Sequence, residues 1–378
     1  MNILITGADG YIGWPLTVSL LKNKKNIRLI CVDNLFRRKW LKEVGAKSAI
    51  SISSFHEKKK FLKKFNIKNN FFNFDLNNFN KLDKLIKKYK FDFIINLAAQ
   101  PSAPYSFMNV EKCNFTQNNN NQILRNIIWS IRKNKLEQKT KLLHTTTTGV
   151  YGAPNIIIPE GYINIKNESY PFGFMAGSWY HMSKCNDINN LYLANNNFGI
   201  KSYDLRTAIT VGLDYDGFET FKENNIYNTR FDYDYYFGVV INRFVAMALT
   251  NSKITLYGKG LQEKPFISLK DTVKSIINLI LNPPKAGGVY NQLTNIVSIK
   301  KITEIINSNN LFKKKLNITH IKNPRVENET HKMKMNNKNF VKILGSKGES
   351  LKTTIDSTIK ILHKLDAKID KKKFLQTN

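Results

Sequence analysis

The stretch Gly7-Ala-Asp-Gly10-Tyr-Ile-Gly13, directly behind the apolar run Ile3-Leu-Ile, constrains this chain more than any other feature. Glycines at this spacing suit a strand that turns sharply into a helix. Gly7 permits the turn, Gly10 lets a ligand approach the backbone, and Gly13 lets the helix pack closely on the strand. Free N–H groups at the helix N-terminus then face a phosphate. The expectation is a dinucleotide site, with Tyr11 and Ile12 beside the glycines.

Asp33 strengthens it, ending the next apolar run twenty residues after Gly13, with Asn34 following. A carboxylate there accepts hydrogen bonds from adenosine ribose hydroxyls and repels a 2′-phosphate, which favours NAD over NADP. Arg37 and Arg38 weigh the other way, since guanidinium groups suit such a phosphate. Asp75, with Leu76 behind the third strand, is placed at the adenine, and Leu97-Ala-Ala99 along the groove.

Strand and helix signals alternate through the first half: strands at Ile27–Val32, Phe71–Phe74, Phe91–Leu97, Lys141–Thr145 and Lys201–Leu205. The helices between them are expected over Tyr11–Lys22, Leu82–Tyr89, Asn119–Asn134 and Tyr180–Asn196. This order predicts an α/β fold, a doubly wound parallel Rossmann sheet. Beyond residue 206 the pattern changes to an aromatic, Asp-rich stretch (Asn228–Phe237), a helix over Gly238–Thr250 and a mixed tail. The expected division is a cofactor domain over 1–206, joined again by 238–283, and a smaller mixed substrate lobe over 207–237 and 284–378.

Tyr180-His-Met-Ser-Lys184 sets Tyr and Lys on one side of a helix. A phenol with a pKa of about 10 is a poor base at neutral pH. A neighbouring ammonium and a cofactor cation lower that value, so that the phenolate accepts a hydroxyl proton. Upstream, Thr145-Thr-Thr-Thr-Gly-Val-Tyr151 closes a buried strand, and Thr147, four before Tyr151, is the hydroxyl expected on the reacting oxygen. A Tyr/Lys pair at this spacing is frequent by chance and, alone, more often marks a surface helix than a site. Its order after the glycine turn and Thr147 is what gives it weight.

Composition narrows the class. The formal net charge of +31 opens the question of nucleic acid or an anionic membrane. The lysines, however, are spread along the chain among many asparagines. The densest runs, Glu57–Lys64 and Lys81–Lys88, carry apolar residues at helical spacing and read as solvated helix faces. No aromatic–basic RNA motif accompanies them. Three widely spaced cysteines, Cys31, Cys113 and Cys185, fit neither a disulfide framework nor a metal site. The first strand begins at residue 2 and no run of about 18 apolar residues occurs, so a cytoplasmic protein without membrane insertion is expected.

Taken together, these motifs resemble the extended short-chain dehydrogenase/reductases, and in detail the UDP-sulfoquinovose synthases. The matching stretches are Asp9–Trp14, Val32–Arg38, Ser102–Ser106, Tyr151–Asn155 with Glu160–Tyr162, Tyr180–Lys184, Arg230–Asp234, Asn242–Phe244, Tyr257–Gly260 with Gln262, and Asn323–Glu327. The resemblance implies C-4 oxidation of a UDP-sugar, C-5/C-6 elimination, sulfite addition at C-6 and re-reduction. NAD would be a resident catalyst and the protein a homodimer. It makes His181 the acid/base for C-5 or C-6, adds Asn120 to the cofactor set, and assigns Tyr105, Arg230, Arg243, Gln262 and Arg325 to the substrate. The chain departs from that pattern at Pro101 (Arg), Val150 (Glu), Lys264 (Arg) and Arg206-Thr207 (Asn-Gln). Gly149-Val-Tyr-Gly152 is instead similar to UDP-sugar 4-epimerases, the alternative activity, which needs no C-5 base.

Overall fold

In the computed structural model, residues 1–374 are described apart from 24–25, 167, 174, 313–314 and 323–329. Seven strands form the main sheet: β1 (Asn2–Thr6), β2 (Arg28–Asp33), β3 (Asn70–Asn73), β4 (Phe93–Asn96), β5 (Lys141–Thr147), β6 (Ser202–Thr207) and β7 (Gly288–Gln292). Their spatial order is β7-β6-β5-β4-β1-β2-β3, and every neighbouring pair is parallel. Ile3, Leu4, Ile5, Ile94, Ile95, Leu142 and Leu143 have no exposed surface. Continuous apolar runs are what a sheet covered on both faces requires.

The helix Gly13–Asn23 packs beside Leu269–Leu281, and Trp14, Leu20, Val273 and Ile276 share one core with the sheet. On the other face, Ile86, Ile123, Leu124, Ile127 and Leu191 come from the helices Phe79–Tyr89, Val110–Lys133 and Trp179–Asn196. The chain runs outward from β1 through β2 to β3, then returns to β4 on the other side. That reversal opens a crevice at the C-terminal ends of β1 and β4, where open α/β sheets hold ligands.

A mixed three-stranded sheet of Ile209–Val211, Glu263–Ser268 and Asn295–Ser298 stands over this crevice. The helices Val240–Leu249, Ile299–Asn307 and Leu351–Lys364 close a separate core there through Val245, Ile302 and Ile355. The expected lobe boundaries shift in two places. Strand β7, from the segment assigned to the lobe, hydrogen-bonds along the free edge of β6. The helix Val240–Leu249 joins the lobe core, so only Leu269–Leu281 returns to the main sheet.

Two helical expectations also change. The helix read from Asn119 begins at Val110, because Asn109 caps it by accepting the Lys112 N–H. The lysine-rich helix Phe55–Phe65 is held at its start by a Ser54/Glu57 capping box, and its lysines are not all solvated. Lys58 is buried, drawn in by Asp9. Among the described residues, no helix is long and apolar enough to cross a membrane.

Candidate active site

A cavity of about 540 Å³ lies between the strand ends and the lobe. Its wall includes Gly7, Gly10, Tyr11, Ile12 and Gly13 from the first turn, Asp33 at the end of β2, and Asn34 and Arg37 beyond it. Leu76 and Leu97 line it as well. A Cβ added to Gly13 would stand 2.2 Å from the Gly7 carbonyl oxygen, so only glycine lets the helix start where it does.

The polar groups at this end are tightly ordered. The Asp33 carboxylate accepts the backbone N–H of Asp9 (2.9 Å) and of Leu35 (2.7 Å). Burial raises its pKa, and the neighbouring charge of Asp9 adds to the rise. Asp9 sits inside the glycine turn. Arg38 grips it with two nitrogens at 2.8 and 2.9 Å, and Lys58 donates to it at 2.8 Å. Burial pushes the Asp9 carboxyl up, but Lys58, Arg38 and Arg230 together hold it below the usual carboxylate range. Arg37 donates twice to Asp232, at 3.1 and 2.7 Å, and lies over the Phe237 ring. Both arginines expected to compete for a 2′-phosphate therefore face carboxylates, and Asp33 keeps its place on the wall.

Two residues expected at the cofactor stand behind the wall. The Asp75 carboxylate closes a local turn by accepting the Asn77 N–H at 2.9 Å, and its neighbours Phe74 and Leu76 line the cavity instead. Asn120 bonds the Gln100 N–H and carbonyl and the Ser183 hydroxyl, while Asn119 takes the lining position.

Thr147, Tyr180, His181 and Lys184 meet at the other side of the crevice, all on the cavity wall. Thr147 ends β5, and its hydroxyl accepts the Gly149 N–H at 3.1 Å. Ser178 caps the helix Trp179–Asn196 through the His181 N–H, which places Tyr180, His181 and Lys184 within its first two turns. The His181 ring lies over Gly149, where a Cβ would stand 2.3 Å from its Nε2. That loop can be occupied by His181 only because residue 149 has no side chain.

Lys184 differs from expectation. Its ammonium donates to Asp187 at 3.1 Å and stands 3.3 Å from the His144 Nε2. The Thr6 hydroxyl donates to the Asn96 carbonyl oxygen (2.6 Å), so the Asn96 amide N–H donates to the His144 Nδ1 (2.9 Å). His144 is then the neutral tautomer that donates from Nε2 to Asp187, 3.0 Å away. Burial, with the Lys184 charge, lowers the His144 pKa. Burial raises the pKa of Tyr180, and the Asp187 charge adds to that effect. The Lys184 ammonium, expected to lower it, is engaged by Asp187. The His144–Asp187 pair was missed in sequence, although Asp187 lies one turn beyond Lys184.

Arg243 and Gln262 line the lobe side, joined by Tyr257, from a stretch that carries the resemblance, and by Lys264, one of the departures from it. Tyr105 does not reach the cavity; it is buried, and its hydroxyl donates to Glu43 at 2.8 Å. Arg230 stands at the glycine turn, 3.7 Å from Asp9. Arg325, with the rest of Asn323–Glu327, lies outside the described residues. Of the departures, Pro101 lines the cavity and Val150 is fully buried in a small apolar core. Arg206, another of them, is enclosed by Asp204, Tyr151 and the Phe172 carbonyl.

These residues fit a dinucleotide: a turn that admits no Cβ, an acid at the end of β2, and a buried guanidinium at the turn. Comparison with known proteins agrees. The model of the NAD dependent epimerase/dehydratase family matches residues 3–292. The chain is 33% identical to the UDP-sulfoquinovose synthase of Sulfolobus acidocaldarius, over 88% of this chain and 84% of that protein. It is 32% identical to the chloroplastic UDP-sulfoquinovose synthase of Spinacia oleracea, over 87% of this chain and 69% of that protein. The fold matches a crystal structure of UDP-glucuronic acid 4-epimerase from Bacillus cereus in complex with UDP-glucuronic acid and NAD. There the TM-score is 0.69 at 20% identity, covering 97% of this chain and 100% of that one.

Proposed function

This chain belongs to the NAD dependent epimerase/dehydratase family, and from that membership we propose that it converts a UDP-hexose in the manner of a UDP-sulfoquinovose synthase. It is an NAD-dependent nucleotide-sugar enzyme; the choice of sugar and the use of sulfite are our inference. The observation that carries the reading is the meeting of Thr147, Tyr180 and His181 on one wall of the cavity that also holds the glycine turn.

Bound NAD supplies the oxidant for C-4 of the sugar and the reductant that restores it. The residues handle the protons. Thr147 holds the C-4 oxygen through its hydroxyl, and Tyr180 accepts the C-4 hydroxyl proton. Burial disfavours the phenolate, and a nicotinamide cation held beside it would supply the positive charge that favours it. Lys184, fixed by Asp187 and His144, orients the site without carrying the full burden of that shift.

A ketone at C-4 acidifies the C-5 proton, and we assign His181 to take it and to protonate the departing C-6 hydroxyl. Sulfite then adds at C-6, C-5 regains a proton, and the C-4 ketone is reduced back to the alcohol. A simple 4-epimerase needs no such base, and the His181 ring over Gly149 is the feature that favours elimination over epimerisation. Arg243 and Gln262 are assigned to the UDP end, where a guanidinium suits phosphate. Pro101 and Val150 supply no charge, so sulfite must be held by groups other than those two side chains.

Exchange at C-5 tests the proposal. UDP-glucose incubated with the protein in heavy water should gain one deuterium at C-5, and the His181→Ala variant should lose that exchange. Interconversion with UDP-galactose without C-5 deuterium would establish the epimerase instead.

A further inference from the structure

Arg230 belongs to the loop between the strand Ile209–Val211 and the helix Val240–Leu249, both of the lobe, yet its side chain reaches back to the first turn of the chain. It is 3% exposed and lines the cavity. Its Nη2 stands 3.7 Å from an Asp9 carboxylate oxygen, and its Nη1 stands 3.9 Å from Asp232. Neither distance is a hydrogen bond. Among the described residues, none of its three side-chain nitrogens has a hydrogen-bond partner.

The neighbours explain why. Asp9 is engaged by Arg38 and Lys58, and Asp232 by Arg37, each at 2.7 to 3.1 Å. The two carboxylates near Arg230 are thus shared with three other cations. A guanidinium left buried with its five N–H donors unmet is costly, and a fork of this shape matches a phosphate. Gly7 and Gly10 bring the backbone of the same turn to the same wall.

We propose that Arg230 is a ligand of the cofactor's diphosphate, supplied by the lobe side of the cavity, and does not bind the nucleotide of the sugar. It rests on the family's NAD and not on which sugar is turned over, so failure of the sulfite reading leaves it standing. The assignment gives Arg230 a role in retention. A cofactor that is restored in every turnover gains from being clasped on both sides, by the glycine turn beneath and by Arg230 above.

Titration of the purified protein with NAD and, separately, with UDP tests it, using wild type, Arg230→Met and the more conservative Arg230→Lys. Loss of charge-assisted hydrogen bonds should weaken NAD binding about 10- to 100-fold in Arg230→Met. Arg230→Lys, which keeps the charge but not the fork, should fall between that variant and wild type. UDP affinity should stay within about twofold in both. The wild-type protein should retain more NAD through purification than either variant. Unchanged NAD affinity in Arg230→Lys and Arg230→Met overturns the proposal, and so does a loss confined to UDP.

Discussion

At the scale of single residues, the site depends on a few side chains and on one side chain that is missing. Replacing Tyr180 by Phe removes the hydroxyl that exchanges the C-4 proton; turnover should fall by about 10²- to 10⁴-fold while NAD affinity changes little. Gly149→Ala is a sharper probe. Its new Cβ would stand 2.3 Å from the His181 Nε2, so the ring must move. C-5 exchange should drop in this variant and C-4 oxidation should persist, a split that stopped-flow absorbance of the cofactor and mass spectrometry can resolve.

Much of this was legible in sequence, because glycine spacing, a Tyr/Lys pair one turn apart and a strand-end threonine each have a local cause. Tyr105 and Asn120 were not, because which way a buried side chain turns is decided by partners distant in sequence. Glu43 takes the Tyr105 hydroxyl, and Gln100 and Ser183 take the Asn120 amide. Lys58 reads as one more solvated lysine until Asp9 is placed beside it.

At the scale of elements, the helix Trp179–Asn196 is joined to β5 by Lys184, Asp187 and His144. Asp187 is fully buried, held below the usual carboxylate range despite burial by Lys184 and His144. Asp187→Asn leaves an ammonium without its counter-charge, and chemical denaturation should show a loss of about 3 kcal/mol or more. His144 sets a pH dependence whose sign is fixed. Its folded-state pKa lies below the ordinary value of about 6.5, so the unfolded chain binds the proton first. Its contribution is complete above about pH 6.5 and is lost as the pH falls from there through the folded-state pKa. The melting temperature of the wild type should therefore decline between about pH 7.5 and 5.5, and more shallowly in His144→Phe.

Strand runs bounded by turns were readable at this scale. The start of the helix at Val110 was not, because Asn109 sets it through a cap rather than through apolar periodicity. Nor was the place of β7, since its partner edge is fixed by the sheet and not by its own five residues.

At the scale of the whole molecule, the helices Val110–Lys133 and Trp179–Asn196 expose Val110, Trp179, Met182 and Leu193, an apolar surface that would serve the homodimer the resemblance implies. Sedimentation should give twice the chain mass, and Trp179→Glu with Met182→Glu should shift it toward one. The net charge of +31 favours anionic substrates through long-range attraction. The kcat/KM for a nucleotide sugar should accordingly fall as salt is raised from about 0.01 to 0.15 M, where the screening length shortens from about 30 to 8 Å.

The fate of C-6 separates the two activities, and mass spectrometry of the products formed from UDP-glucose and NAD, with and without sulfite, reads it. A sulfonated UDP-hexose should appear only when sulfite is present. A product of unchanged mass, resolved as UDP-galactose and indifferent to sulfite, would contradict it.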